Sequence, residues 1–333
     1  MRKQKIFITE PLLGRIATVA GDNYTEENKY IEWIIAEKGE KEELLDLVPH
    51  VDILVVGRQQ ITREILEKAE KVHFIQQCGA GYDNIDVDVA HTKNIVVATC
   101  GPAGAISVAE HTILLMLAVA KRLPLAHYST ASGEWLFQQL LGQVYEVYEK
   151  VLGIIGLGSI GKRVAHIANA LGMNIQYCDL FPCDVNDLKF AVKYVSLNEL
   201  LRTSDFVSIH SVLTEKTRHM IGKDQLNMMK PTSYLINTAR GAIVDEDALA
   251  DILEEGGIAG AGLDVFGEHI DGPKSGAKIL KLPNVVLTPH LAGCTAEAGF
   301  RMYYVNSLEN VMKVIRKEEP FYVVGDYRIG GGR

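Results

Sequence analysis

"VLGIIGLGSIG", residues 151–161, carries an apolar strand directly into three glycines and then into the helical pattern "KRVAHIANALG". Gly156, Gly158 and Gly161 have the spacing G-x-G-x-x-G, and each answers a physical need. The first permits a tight turn, the second lets backbone approach a pyrophosphate, and the third allows close helix packing. The helix that follows turns its N-terminal N–H groups toward any anion bound there. A strand-to-helix turn can also carry three glycines for its own geometry, so a second feature is needed. Asp179 supplies it: it ends the next apolar strand, where a carboxylate can accept hydrogen bonds from ribose hydroxyls. Residues 180–183, "LFPC", hold no Arg or Lys to receive a 2′-phosphate. The expected cofactor is therefore NAD rather than NADP.

Outward from this motif, short β-type runs alternate with helical patterns, the signature of parallel sheets built from strand-helix-strand units. The runs 5–9, 52–56, 74–78 and 95–99 read as strands of a first sheet, with helices expected over 26–39 and 62–70. A second series reads as strands at 151–156, 174–179, 191–195, 206–210, 233–238, 261–265 and 285–290. The expected fold class is α/β, with two doubly wound parallel-sheet domains. Between the two series, 107–123 is apolar nearly all round and reads as a helix packed on several sides. The arm 124–150 carries Trp135 and several Leu or Phe residues in polar surroundings, which suggests a surface between subunits. A last helix is expected over 298–319.

Composition narrows the function class. The 333 residues carry 34 basic and 42 acidic side chains, a net charge of -8, and 47% hydrophobic residues. Such a chain buries a full core, and without basic runs it lacks the footprint of a nucleic-acid binder. Five cysteines at irregular spacing, without a C-x-x-C pair, indicate neither a disulfide framework nor a zinc site. A reducing cytoplasm and no metal are expected. The apolar stretch 112–120 is about half of the ~20 residues that a bilayer span needs, so no membrane partner is expected. The apolar run "IFI" near the N-terminus is too short for a signal peptide.

Hydride chemistry on a nicotinamide needs a group that holds the substrate and an acid or base at its oxygen. Arg240 in "INTARGAIVDE", the acidic cluster of "LDVFGEHIDGP" (263–273) and His290 in "LTPHLAG" follow the fifth, sixth and seventh strands of the second series. Those positions share the carboxyl edge where open α/β sheets bind ligands. Each alone has a blander reading, as a surface Arg, a solvated loop or a satisfied loop His.

Taken in order, "GAGYDNIDVDVA" (79–90), "SVAEHT" (107–112), "GIIGLGSIGKRVA" (153–165), "INTARGAIVDEDAL" (236–249), "GLDVF" (262–266) and "TPHLAGCTAEA" (288–298) resemble the NAD-dependent D-isomer-specific 2-hydroxyacid dehydrogenases. The resemblance implies a Rossmann coenzyme domain, residues 104–295, inserted into a flavodoxin-like substrate-binding domain made of 1–103 and 296–333. It also implies an oxidoreductase reversibly transferring a hydride between NAD(H) and a small 2-oxo or 2-hydroxy acid of the D series, and a homodimer formed through the coenzyme domain. In this reading Arg240 holds the substrate carboxylate, with the backbone N–H groups of Ala80 and Gly81 on the same group. His290 is the general acid and base, and a neighbouring glutamate raises its pKa. The cofactor contacts implied are Gly156, Gly158, Ser159, Ile160, Gly161, Asp179, Val212, Thr217, Thr238, Ala239, Arg240, Asp264, His290 and Gly293. Asp264 would accept from the carboxamide N–H₂.

Two departures stand out. The family's D-V-F-x-x-E-P would put the catalytic glutamate at 269, where this chain has His269; its glutamate is Glu268, one place earlier, and Asp271 follows. Glu268 is the favoured partner of His290, with His269 or Asp271 as alternatives. The family's asparagine before "SVAEH" is replaced by Gly104. Arg58, Gln59, Cys78 and Tyr82 are candidates to face the substrate, and Arg58 would favour a second negative group there. The alternative function, an NAD-sensing corepressor-like binding protein on the same scaffold, is disfavoured by the presence of both Arg240 and His290.

Overall fold

The computed structural model describes residues 3–267 and 272–325. It divides into two compact units, Met1–Gly104 with Ala296–Arg333, and Ala105–Thr295.

The first unit is a five-stranded parallel sheet of β1 (Gln4–Ile8), β2 (Ile31–Ile35), β3 (Ile53–Val56), β4 (Phe74–Gln77) and β5 (Val96–Ala98), in the order β2-β1-β3-β4-β5. Alternate side chains of these strands enter two cores, one on each face. Phe7, Leu54, Val56, Ile75 and Val97 pack on one side, and Ile6, Ile8, Ile53, Val55 and Phe74 on the other. The second core is closed by Leu308, Val311 and Met312 of the helix Leu308–Ile315, which continues a π-helical stretch, Phe300–Ser307.

One expectation is corrected here. Of the helix read over 26–39 only the start is helical, in the short helix Thr25–Asn28; Ile31–Ile35 is strand β2, and the longer helix of this crossover lies earlier, at Arg15–Asn23. Ile31, Ile34 and Ile35 have helical spacing, but pairing with β1 prevails. Gln4 to Ile8 align with Ile31 to Ile35, and Lys5 meets its register partner Glu32 at 3.6 Å. Such cross-strand pairs stabilise a sheet edge.

The second unit is a seven-stranded parallel sheet. Its strands are β6 (Val151–Ile155), β7 (Asn174–Cys178), β8 (Val192–Tyr194), β9 (Phe206–Ile209), β10 (Tyr234–Asn237), β11 (Gly260–Leu263) and β12 (Val285–Leu287). The order β12-β11-β10-β9-β6-β7-β8 reverses between β6 and β9 and so opens a crevice there. The helix Ala105–Ala120 packs Ala109, Ile113, Leu115, Met116 and Val119 into the core beneath β6 and β10. With the preceding turn it forms a 20-residue span apolar enough to cross a bilayer, but 67% of the 18-residue apolar window within it is buried inside the protein. Beyond it, the helices Leu123–Ala131 and Phe137–Leu140 leave Tyr128, Trp135, Phe137, Leu141 and Tyr148 between 54% and 77% exposed.

Candidate active site

The turn after β6 shows why the motif needs glycine. Gly156 has φ 93°, open to glycine at little cost, and a β-carbon there would meet the backbone of His210 and Ser211 at the end of β9. At Gly161 a β-carbon would collide with the Gly156 carbonyl, so the helix Ser159–Ala170 seats directly on the turn. Gly158 faces open space, with nothing within 4 Å of an added β-carbon. Beside this space, Ser211 Oγ and His210 Nδ1 are buried without a hydrogen-bond partner among the described residues. Buried polar atoms normally have partners. Two orphans at the switch point, an open glycine face and an uncapped helix N-terminus together fit a bound pyrophosphate and its ribose. Neither His210 nor Ser211 was singled out from the sequence. The signal was available: they directly follow the strand that flanks the switch point.

Asp179, at the end of β7, accepts from the amides of Leu157 (2.9 Å) and Leu180 (2.8 Å), so its carboxylate is fixed at the rim of the glycine turn. A carboxylate has capacity for further donors beyond these two. The nearby Lys162 is engaged by Asp187 at 2.9 Å. Val212 is 62% exposed, and the hydroxyl of Thr217 closes the turn under it by donating to the Val212 carbonyl at 2.7 Å.

At the ends of β10 to β12 the remaining residues gather. Thr238 Oγ1 bonds Thr112 Oγ1 at 2.9 Å, and the Ala239 amide donates to Asn237 Oδ1. Arg240 is half-buried; its Nη1 donates to the Ala239 carbonyl, and its own carbonyl accepts from Asn237 Nδ2. Gly241 lies against the backbone of Phe266 and Gly267, which brings the Arg240 loop beside the start of the acidic loop. Glu268, His269 and Asp271 lie outside the described residues.

Asp264 is completely buried and serves as the hub of the His290 loop. Oδ1 accepts from Thr288 Oγ1 (2.5 Å) and the Leu291 amide (2.8 Å), and lies 3.4 Å from His111 Nε2; Oδ2 accepts from the Ala292 amide (2.9 Å). Burial would raise its pKa, but the hydrogen bonds from His111, Thr288 and the two amides prevail and hold it below the usual carboxylate range. His290 completes the turn: its amide donates to the Asp264 carbonyl at 2.9 Å, and its φ of 56° is left-handed. A side chain in that region is held by its surroundings, here by the Asp264 clamp. Gly293 follows the clamped segment, with Val108 4.0 Å from an added β-carbon. His111 is a further residue that the sequence did not single out.

In the first unit, Ala80 and Gly81 form the loop after β4, with Ala80 exposed. Among the described residues no group accepts a hydrogen bond from either amide.

The chain is similar to known proteins in both sequence and fold. Residues 113–292 match the family model of the D-isomer specific 2-hydroxyacid dehydrogenase NAD binding domain. A D-3-phosphoglycerate dehydrogenase of Methanocaldococcus jannaschii is 42% identical over 280 residues, 84% of this chain but 52% of that protein. This chain thus spans about half the length of that relative. A glyoxylate reductase of Korarchaeum cryptofilum is 37% identical over 322 residues, covering 96% of this chain and 95% of that protein. Among solved structures, a glyoxylate reductase from Paecilomyes thermophila superposes with a TM-score of 0.87 at 30% identity, covering 98% of this chain and 99% of that one. The chain therefore belongs to the D-isomer specific 2-hydroxyacid dehydrogenase family, as an NAD-binding α/β oxidoreductase of that kind.

Proposed function

We propose that the protein reversibly interconverts a small 2-oxo acid and its D-2-hydroxy acid. The observation that carries this reading is the shared carboxyl edge of β10 to β12, with Arg240, the Asp264 hub and the constrained turn of His290 on successive loops.

NADH, when bound, supplies the hydride for C2 of the substrate. The residues proposed to hold it are Gly156, Gly158, Ser159, Ile160 and Gly161 at the pyrophosphate, and Asp179 at the ribose. Val212 and Thr217 would line the adenine side, and Thr238, Ala239, Asp264 and Gly293 the nicotinamide side. Arg240 binds the substrate carboxylate through its guanidinium fork. The backbone amides of Ala80 and Gly81 in the first unit are donors of the kind that suits a carboxylate. His290 donates a proton to the ketone oxygen in reduction and takes it back from the hydroxyl in oxidation. Glu268 is proposed as the carboxylate that keeps His290 protonated before reduction. NAD is favoured over NADP, supported by the Asp179 carboxylate and by the engagement of Lys162 with Asp187.

A homodimer through the coenzyme domain is supported by the exposed aromatic arm after the helix Ala105–Ala120. A cytoplasmic location is supported by the five cysteines, none of which is in a disulfide.

The test is NADH oxidation at 340 nm with glyoxylate, pyruvate, hydroxypyruvate, phenylpyruvate and branched 2-oxo acids. Activity on at least one is expected, with oxidation of the D but not the L enantiomer in reverse. Arg240→Ala should lower kcat/KM by at least about 100-fold, the loss of a charge-assisted carboxylate contact. NADH binding without turnover of any of these acids would exclude the reading.

A further inference from the structure

The five-stranded sheet has its own topological switch point, between β1 and β3, and an ion pair closes it. Glu10 follows β1 and Arg58 follows β3. Arg58 Nε and Nη2 both donate to Glu10 Oε1, at 3.1 and 2.9 Å, and the Arg58 backbone N–H donates to Glu10 Oε2 at 3.2 Å. The carboxylate side chain is 10% exposed and the arginine side chain 58%. Gly57 makes room for this arrangement, since a β-carbon there would collide with Glu10 Oε2. The same loop is laced to the segment that carries Ala80 and Gly81. Gln77 Nε2 donates to the Gly57 carbonyl at 3.1 Å, and Asn84 Nδ2 to the Gln59 carbonyl at 2.9 Å.

An arginine on this ridge would by itself attract a second anion on the substrate. Here, however, two side-chain donors and the backbone amide are spent on one nearly buried carboxylate, and the pair sums to zero charge. A substrate phosphate approaching Arg58 would meet a pair of zero net charge, in which the Glu10 carboxylate offsets the attraction of the guanidinium. The guanidinium donors not engaged by Glu10 still suit a neutral oxygen.

We propose that Glu10 neutralises Arg58 and so biases the enzyme toward 2-oxo acids with an uncharged tail, such as a hydrogen or hydroxymethyl group. Substrates bearing a phosphate or a second carboxylate are disfavoured. This rests on the reading of Ala80 and Gly81 as the substrate carboxylate's holders.

The experiment compares kcat/KM for hydroxypyruvate and for its 3-phosphorylated form, which differ by the phosphoryl group and the charge it carries. The wild type should favour hydroxypyruvate by at least tenfold. Glu10→Gln, which keeps shape and removes the charge, should shift the ratio toward the phosphorylated acid by at least tenfold, mainly through KM. Arg58→Gln, a second variant should the first not fold, leaves the carboxylate alone and should shift the ratio further toward hydroxypyruvate. A wild type that prefers the phosphorylated acid, or folded variants with an unchanged ratio, would overturn the inference while leaving the dehydrogenase reading intact. Inactivity toward every 2-oxo acid would instead remove the reading on which it stands.

Discussion

Asp264 illustrates how a residue's place can be legible while its work is not. Its position after an apolar strand and the resemblance of "GLDVF" both pointed to the cofactor's reactive end. Its bonds to Thr288, Leu291 and Ala292 add a role that only three-dimensional neighbours reveal, the clamping of the His290 turn. The role of His111, which lies within "SVAEHT", was hidden for the same reason, because its partner Thr288 is 177 positions away. His210 carries a consequence for pH. Burial pushes its pKa down from 6.5 to about 3, so it stays neutral in the folded chain while an unfolded one takes up a proton. Its contribution to stability is complete above pH ~6.5 and is lost as pH falls toward the folded value, at up to ~1.4 kcal/mol per pH unit. Melting without nucleotide from pH 7 down to pH 4.5 should show this slope, and His210→Asn should flatten it; equal slopes in both proteins would contradict the assignment.

Among the elements, the second sheet was readable almost strand by strand because its central strands are buried on both faces and appear as short apolar runs between helices. Strand β2 was not. "IEWII" is short and places Ile31, Ile34 and Ile35 where a helix would also place them, and periodicity alone does not separate the two. The decision comes from pairing with β1, a tertiary fact. The arm after the helix Ala105–Ala120 belongs to this scale too. Trp135 is 77% exposed and Tyr128 71%, more apolar surface than an isolated arm needs. Light scattering should give twice the 36.7 kDa chain mass, and the pair Tyr128→Glu with Trp135→Glu should shift the protein to monomer. A wild type that is monomeric at tens of micromolar would refute the proposed dimer.

At the scale of the molecule, the two sheets were evident from the alternation of strands and helices, but a linear reading would have cut the chain once, between them. The C-terminal helix shows why that fails: Leu308, Val311 and Met312 bury against the N-terminal sheet, a closure that depends on three-dimensional packing. The order of motifs suggested the discontinuous arrangement only through resemblance to a family. In the proposed chemistry His290 passes a proton to the substrate oxygen while NADH reduces a 2-oxo acid. The most direct test pairs NADH binding, followed by fluorescence quenching, with NADH oxidation for wild type and His290→Ala. Binding should be retained within a few-fold while turnover falls by about 10²–10⁴. A variant that binds NADH and turns over the 2-oxo acid at the wild-type rate would contradict the account.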